Sequence, residues 1–192
     1  MKKLVAVFGP ARCIQGDALY RDAEELGKRL AHAGFITING GYEGVMEAVS
    51  KGARSAGGSV VGVTAEVYFA RGREANEFIT REIRVKSATD RLMELLDLAD
   101  AYIAIGNSTG TLGEVAMAWD YMTKGFLPQK PTLLIGESWK RFMNYIERED
   151  QFFPFSHFIE YHSDPEGAVA TLESLFGTSL HLPDLDILSA DQ

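Results

Sequence analysis

A turn rich in glycine and hydroxyl side chains separates an apolar run from a helical stretch, and its composition suits the binding of an anion. The apolar run is Ala-Tyr-Ile-Ala-Ile (101–105), and Gly-Asn-Ser-Thr-Gly-Thr (106–111) follows it. Glycines let backbone amides approach an anion closely, and the first amides of a helix point outward at the positive end of the helix dipole. A phosphate is the expected ligand. The residues expected to bind it are Asn107, Ser108, Thr109, Gly110 and Thr111.

The same stretch also has a purely structural interpretation. Thr111 and Glu114 match the spacing of a capping box, in which the glutamate reaches back to a backbone amide at the start of the helix. A glutamate at this spacing from a phosphate-binding threonine would equally lie one turn along the same helix face, about 5–6 Å away between Cβ atoms. The stretch alone leaves the cap and the ligand site as open alternatives.

Two further glycine-rich turns raise the same choice. Residues 9–13 read Gly-Pro-Ala-Arg-Cys, and residues 39–44 read Asn-Gly-Gly-Tyr-Glu-Gly. Glycines at strand ends form tight turns or let a ligand approach the backbone, and both interpretations remain possible for these turns. The glycines that would bind a ligand are Gly9, Gly40, Gly41 and Gly44. Cys13 is more typical of a turn residue than of a nucleophile, because no histidine can be assigned beside it.

Short apolar runs alternate with amphipathic segments, and this pattern positions the three turns. The predicted strands are 4–9, 35–38, 59–63, 101–105 and 132–135, with a short strand at 81–85 and an edge strand at 158–162. Helices are predicted between them, whereas 64–80 shows no clean period and is expected to be a long loop, with a short helix within it as the alternative. Uniformly apolar strands that alternate with helices predict an α/β fold of Rossmann-like type, a parallel sheet with helices on both faces. Ligands of such sheets bind beyond the carboxyl ends of the strands, where the three turns should converge.

Length and composition narrow the possibilities. The 192 residues predict one domain at 1–177 and a C-terminal tail at 178–192. The net charge of −8, without a cluster of lysines or arginines, makes nucleic acid an improbable partner. No window approaches the roughly 20 apolar residues of a membrane span, and Cys13 is the only cysteine, so we expect a cytoplasmic protein without an intramolecular disulfide.

Several common ligand motifs are missing from the sequence. Glycines after the first strand lack the G-x-G-x-x-G spacing, the second strand ends without an acidic residue, and no GKS or GKT loop occurs. The histidines also lack the spacing of metal ligands relative to carboxylates or to Cys13. They are His32, His157, His162 and His181. We therefore predict no metal site and no cofactor for the favoured function.

Three of these stretches together resemble the Lonely Guy family, phosphoribohydrolases of cytokinin nucleotides that were long labelled lysine decarboxylases. The family motif P-G-G-x-G-T-x-x-E aligns without gaps with residues 106–114, so that Gly110, Thr111 and Glu114 occupy its Gly, Thr and Glu. Arg91 falls on the family arginine, and the turn at 39–44 matches a glycine-rich family turn. The resemblance spans about residues 4–150. Pro-Gly-Gly is replaced by Gly106-Asn107-Ser108, and the lysine after the arginine is Leu92.

The resemblance implies an enzyme with Arg91 and Glu114 as catalytic residues. By itself a single arginine within a helix is typical of a solvated surface. With the resemblance, Glu114 would stabilise the oxocarbenium-like state of an N-glycosidic bond, and Arg91 would keep Glu114 ionised while binding the phosphate or ribose. The expected substrate is an AMP-like nucleotide, hydrolysed to free base and ribose 5-phosphate. The alternative is a non-catalytic carrier of a nucleotide or of the molybdenum cofactor.

The resemblance also implies a homodimer. The helices predicted at 87–98 and 110–124 carry apolar residues on more than one face, which is more than one packed face requires. These residues are Leu92, Leu95, Leu96, Met117 and Trp119.

Overall fold

The structure is a computed structural model that describes residues 2–149 and 159–177. The predicted tail at 178–192 lies outside the described residues, so the division into a domain and a tail stays a prediction. The strands are β1 (Leu4–Phe8), β2 (Ile36–Asn39), β3 (Val60–Ala65), β4 (Arg81–Val85), β5 (Ala101–Ile105), β6 (Thr132–Ile135) and β7 (Ile159–His162). The helices are α1 (Ala18–His32), α2 (Val45–Ser55), α3 (Glu66–Phe69), α4 (Ala88–Leu98), α5 (Thr109–Thr123), α6 (Glu137–Glu149) and α7 (Pro165–Phe176).

The described strands form one parallel sheet in the order β4-β3-β2-β1-β5-β6-β7. Side chains of β1 alternate between two apolar clusters, because successive residues of a strand point to opposite faces. Val5 and Val7 pack with α1, α2 and α7, whereas Ala6 and Phe8 pack with α4, α5 and α6. The predicted α/β fold, a parallel sheet with helices on both faces, is confirmed.

The strand order reverses beside β1, and this reversal brings the glycine-rich turns together. Strands β1 to β4 follow one another toward one edge of the sheet, whereas β5 lies on the other side of β1 and pairs Val5 with Ala101. Connections that leave in opposite directions open a crevice at the carboxyl ends of the two central strands. The turns after β1, β2 and β5 border this crevice.

Helix boundaries follow from caps that the sequence contains. Ser87 accepts a hydrogen bond from the Asp90 amide, and Asp90 accepts one from the Ser87 amide, which is a reciprocal cap for α4. Asp164 caps α7 before Pro165, and Gly177 ends that helix with a φ of 62°. The segment predicted as a loop at 64–80 contains the end of β3 and the single turn α3. None of the helices in the described ranges is long and apolar enough to cross a membrane.

Candidate functional site

A cavity of about 200 Å³ lies at the carboxyl ends of β1 and β5. It is bordered by the turn after β1, the start of α2, the first turn of α4 and the start of α5. Its lining residues are Val7, Phe8, Gly9, Ala11, Gly40, Tyr42, Met46, Tyr68, Arg73, Arg91, Ser108, Gly110, Thr111 and Glu114. Seven of the eleven residues predicted for the site line this cavity; Gly41, Gly44, Asn107 and Thr109 do not.

The start of α5 is capped by Ser108 and still leaves two amides available. The Ser108 hydroxyl accepts a hydrogen bond from the Thr111 amide at 3.1 Å and lies 2.8 Å from the Thr111 hydroxyl. Within the described chain, the amides of Thr109 and Gly110 donate to no protein group. Because free amides at a helix start attract negative charge, this turn offers an anion a place to bind beside Glu114.

The capping box predicted for Thr111 and Glu114 is wrong. Helix α5 begins at Thr109 with Ser108 as its N-cap, so Thr111 is the third helical residue and Glu114 the sixth. A capping-box partner has to be the third residue of the helix to reach the N-cap amide. Glu114 therefore lies a full turn beyond the capping position, and its side chain lines the cavity.

Glu114 is a half-buried carboxyl group without a hydrogen-bond partner among the described residues. Burial raises its pKa from 4.5 to about 7, and the positive charge of Arg91 opposes that rise only in part. No ion pair within 4.0 Å joins Arg91 to Glu114 in the described structure. Arg91 favours the ionised form of Glu114, as expected, but desolvation has the larger effect and raises the pKa overall.

Arg91 extends from the first turn of α4 over the carboxyl end of the sheet. Its Nε atom donates to the carbonyl of Val63 at 2.9 Å and to that of Gly40 at 3.3 Å. Its guanidinium lies 5.4 Å from the ring centroid of Tyr42 and 5.9 Å from that of Tyr68. Burial lowers the pKa of Arg91, while Glu114 opposes the decrease. The interpretation of Arg91 as a solvated surface residue is wrong, since these contacts hold its charge at the cavity wall.

The predicted glycines have different structural reasons to be glycine. A Cβ at Gly40 would collide with the Arg91 guanidinium, so Gly40 provides the space that Arg91 occupies. A Cβ at Gly9 would lie 2.8 Å from the carbonyl oxygen of Ile105, so glycine allows the end of β1 to pack closely against the end of β5. Gly41 and Gly44 have φ angles of 76° and 71° and shape the turn without lining the cavity.

Asn107 and Thr109 border a second, more apolar cleft between α5 and α6. The Asn107 side chain donates to the Ser138 hydroxyl at 2.6 Å, and Leu112, Trp139 and Phe142 complete the wall. Ser108 lines both spaces. The structure thus brings Ser108, Gly110 and Thr111 to the cavity and directs Asn107 away from it.

Sequence reasoning missed several residues that line the cavity, chiefly Tyr42, Met46, Tyr68 and Arg73. Tyr42 and Met46 belong to the turn and helix start that the sequence had already singled out. Tyr68 and Arg73 come from the segment between β3 and β4. Its sequence has no regular hydrophobic pattern, so nothing in it indicated that these residues would reach the cavity. Three or more potential ligands among His, Cys, Asp and Glu come together nowhere in residues 2–149 and 159–177.

Comparisons with known proteins connect this geometry to a family. The sequence model of the SLOG cluster4 family matches residues 2–141. The cytokinin riboside 5'-monophosphate phosphoribohydrolase of Rhodococcoides fascians is 28% identical over 181 residues, which cover 90% of each chain. A probable cytokinin riboside 5'-monophosphate phosphoribohydrolase of Oryza sativa subsp. japonica is 31% identical over 77% of this chain and 66% of its own. These relatives confirm the resemblance to the Lonely Guy family.

A solved structure of similar fold belongs to a protein with a different description. The molybdenum cofactor binding protein of Rippkaea orientalis superimposes with a TM-score of 0.74 at 24% identity, covering 92% of this chain and 98% of that one. At this identity the similarity shows a common fold.

Proposed function

The chain belongs to the SLOG cluster4 family, and from this premise and the geometry of its cavity we propose that it hydrolyses the N-glycosidic bond of a nucleoside 5'-monophosphate. The products are a free base and ribose 5-phosphate. The observation that carries the proposal is the carboxyl group of Glu114, which lines the cavity without a protein hydrogen-bond partner among the described residues, close enough to Arg91 to interact electrostatically.

A buried carboxyl group without a hydrogen-bond partner lowers the stability of the folded protein when it is ionised. Such a group is typical of a site that binds a ligand or performs catalysis. Burial without a hydrogen bond disfavours the carboxylate, which is why the pKa of Glu114 rises to about 7. Positive charge that develops on the ribose as the bond to the base breaks would favour the ionised form. Glu114 therefore stabilises the transition state more strongly than the ground state, which is the requirement for catalysis.

The remaining groups of the cavity position the substrate. The free amide of Gly110, which lines the cavity, suits the 5'-phosphate, and the next residue, Thr111, lies one helical turn before Glu114. The Arg91 guanidinium uses its Nε atom to hold two backbone carbonyls, and one outer nitrogen donates to the Met46 sulfur at 3.4 Å. The other outer nitrogen is left for the ribose hydroxyls or the phosphate. Water attacks C1' of the ribose as the N-glycosidic electron pair leaves with the base. The Glu114 carboxylate offsets the positive charge on the ribose and takes the proton of the attacking water, and the departing base takes up a proton.

A nucleotide or molybdenum-cofactor carrier is the alternative function. Its support is the same anion-binding turn, which needs no turnover to bind a phosphate, together with the altered Gly106-Asn107-Ser108 stretch, whose Asn107 is directed toward Ser138. The fold is shared with a molybdenum cofactor binding protein. A carrier would bind a phosphate ester in this cavity and release it unchanged.

Incubation of the purified protein with AMP, GMP, CMP and UMP, followed by chromatography of the bases, tests the proposal. The expected result is release of free base from at least one nucleotide, with ribose 5-phosphate formed in equal amount. Binding of a nucleotide by calorimetry without any released base would contradict the hydrolase and favour the carrier. An AMP-like substrate and a cytoplasmic location remain part of the proposal.

A further inference from the structure

The segment between β3 and β4 brings a second cation to the cavity. Arg73 lines the cavity together with Arg91, and these two are the cationic side chains among its described lining residues. About half of the Arg73 side chain is exposed, so it lies at the entrance, whereas Arg91 is held at the wall by two carbonyls. A guanidinium at a cavity entrance is positioned to meet the charged end of a ligand.

Hydrogen bonds fix the segment that carries Arg73 against the turn after β2. The Asn76 amide donates to the carbonyl of Gly41 at 2.8 Å, and the Asn76 side chain donates to the carbonyl of Tyr42 at 2.9 Å. The Arg73 amide donates to the carbonyl of Tyr68 at 3.0 Å. The backbone of Arg73 is therefore tied to the cavity wall, and its approach to the cavity is part of the folded structure.

The charges already present do not neutralise Arg73. Its ion-pair partner is Glu43 at 3.7 Å, and both side chains are about half exposed, so this contact contributes little. Burial is the main cause of the lowered pKa of Arg91, and the positive charge of Arg73 adds to that decrease. Glu114 is the one carboxyl group among the described lining residues. Two cations and one carboxyl group leave the lining with a net positive charge, which favours an anionic ligand.

We infer that Arg73 binds the phosphate of the ligand and makes the cavity selective for phosphate monoesters over the corresponding nucleosides. The inference rests on the proposed function in one respect, that the ligand of this cavity is a phosphate ester. Arg73 and the free amide of Gly110 contact the phosphate dianion, whereas Arg91 stays beside Glu114. A carrier of a phosphate ester would use Arg73 in the same way.

Isothermal calorimetry with AMP, ribose 5-phosphate and adenosine tests the inference. Arg73→Gln should weaken the binding of AMP and of ribose 5-phosphate by roughly 10-fold to 100-fold, because a hydrogen bond to a charged group is lost. Adenosine affinity should change by less than about 2-fold, since adenosine lacks the group that Arg73 contacts. Arg73→Lys keeps the charge and should recover part of the loss. The matched control is Arg71→Gln, an exposed arginine two residues away that does not line the cavity.

Three results would overturn the inference. Equal AMP affinity of Arg73→Gln and Arg71→Gln would exclude a phosphate contact, and an equal loss for adenosine would show that Arg73 shapes the segment. Wild-type protein that binds neither phosphate compound would also overturn it. Because the readout is binding, wild-type protein that binds AMP without releasing base would refute the hydrolase while still testing Arg73.

Discussion

At the scale of single residues, the protonation of Glu114 is set by two opposing effects. Burial favours the neutral acid, and Arg91 favours the carboxylate, but no direct ion pair within 4.0 Å joins the two groups among the described residues. Burial has the larger effect and raises the pKa to about 7, so that the carboxyl group changes its charge near neutral pH. A catalytic acid or base is most effective with a pKa in this range. The substitution Glu114→Gln, which keeps the size of the side chain and removes its charge, tests this role directly.

Glu114→Gln should reduce the rate of base release by about 10²–10³, because an amide cannot balance the charge that develops on the ribose. AMP affinity should change much less, since the proposed phosphate contacts are backbone amides and Arg73. The measurement is single-turnover release of base. The matched control is Asp120→Asn, a carboxyl-to-amide change on the same helix at a residue that pairs with Lys124 at 2.9 Å outside the cavity.

A double variant with Arg91→Ala shows whether Glu114 and Arg91 act as a unit. If they do, the rate of the double variant should fall by much less than the product of the two single effects. A full rate in Glu114→Gln would exclude the proposed mechanism, whatever the result with Arg91.

Glu114 should also make stability depend on pH. The unfolded chain releases this proton near the ordinary pKa of 4.5, whereas the folded protein keeps it until about pH 7. The folded state binds more protons between these values, so the contribution of Glu114 to the free energy of unfolding falls as the pH rises from about 4.5 to about 7 and is constant above. The free energy of unfolding of Glu114→Gln minus that of the wild type should therefore be about 1–3 kcal/mol larger at pH 8 than at pH 4.

Urea unfolding of both proteins at pH 4, 6 and 8 measures this difference, with Asp120→Asn as the control for an exposed carboxyl group. Other titrating groups cancel in the comparison. A difference between Glu114→Gln and wild type that is constant across the three pH values would contradict the raised pKa.

At the scale of elements, the start of α5 combines a complete cap with an open surface. Ser108 satisfies the Thr111 amide, and a Cβ at Gly110 would meet the Ser108 hydroxyl oxygen at 3.6 Å as its one close neighbour. A side chain at position 110 would therefore not clash with the protein itself. The reason we propose for glycine there is the close approach of a ligand.

Gly110→Ala should weaken AMP binding roughly 10-fold, because the new methyl group projects into the space beside the free amides. Stability should stay the same or increase by up to about 1 kcal/mol, since alanine favours a helix. Gly113→Ala is the matched control: a Cβ there meets no atom within 4 Å, and Gly113 does not line the cavity. Calorimetry and thermal melting measure both effects. Unchanged AMP affinity in Gly110→Ala would argue against an anion at this helix start.

At the scale of the whole molecule, the homodimer remains a prediction. Of the apolar residues that motivated it, Leu95 and Leu96 are fully buried within the single chain, so their apolar character needs no partner. Leu92, Met117 and Trp119 are partly buried against the same core. Leu98 and Leu112, on α4 and α5, are each 38% exposed.

Light scattering after size-exclusion chromatography should give twice the chain mass of 21.1 kDa at micromolar concentration. The physical reason is that burying the exposed leucines of α4 and α5 against a second copy removes apolar surface from water. A mass of 21.1 kDa at this concentration would contradict the prediction.

Much of the architecture could be predicted because strand and helix periods are local properties of the chain. The strands at Arg81–Val85, Ala101–Ile105 and Thr132–Ile135 have the predicted bounds. Alternation of apolar strands with helices determined the parallel sheet. The parallel sheet in turn predicted that the glycine-rich turns after β1, β2 and β5 would meet at the carboxyl edge of the sheet, and the structure confirms this.

Tertiary structure decided the features that depend on residues distant in sequence. The start of α5 was predicted within a residue, but Ser108 and Thr111 are both acceptable cap residues, and only the structure shows that Ser108 is the N-cap. The space that Gly40 leaves for Arg91, 51 residues away, has no local signature. The pKa of Glu114 depends on burial, and burial is created only when separate elements pack together. The sequence by itself therefore determined which residues lie at the carboxyl edge of the sheet, whereas packing decided which side chains line the cavity and with what charge.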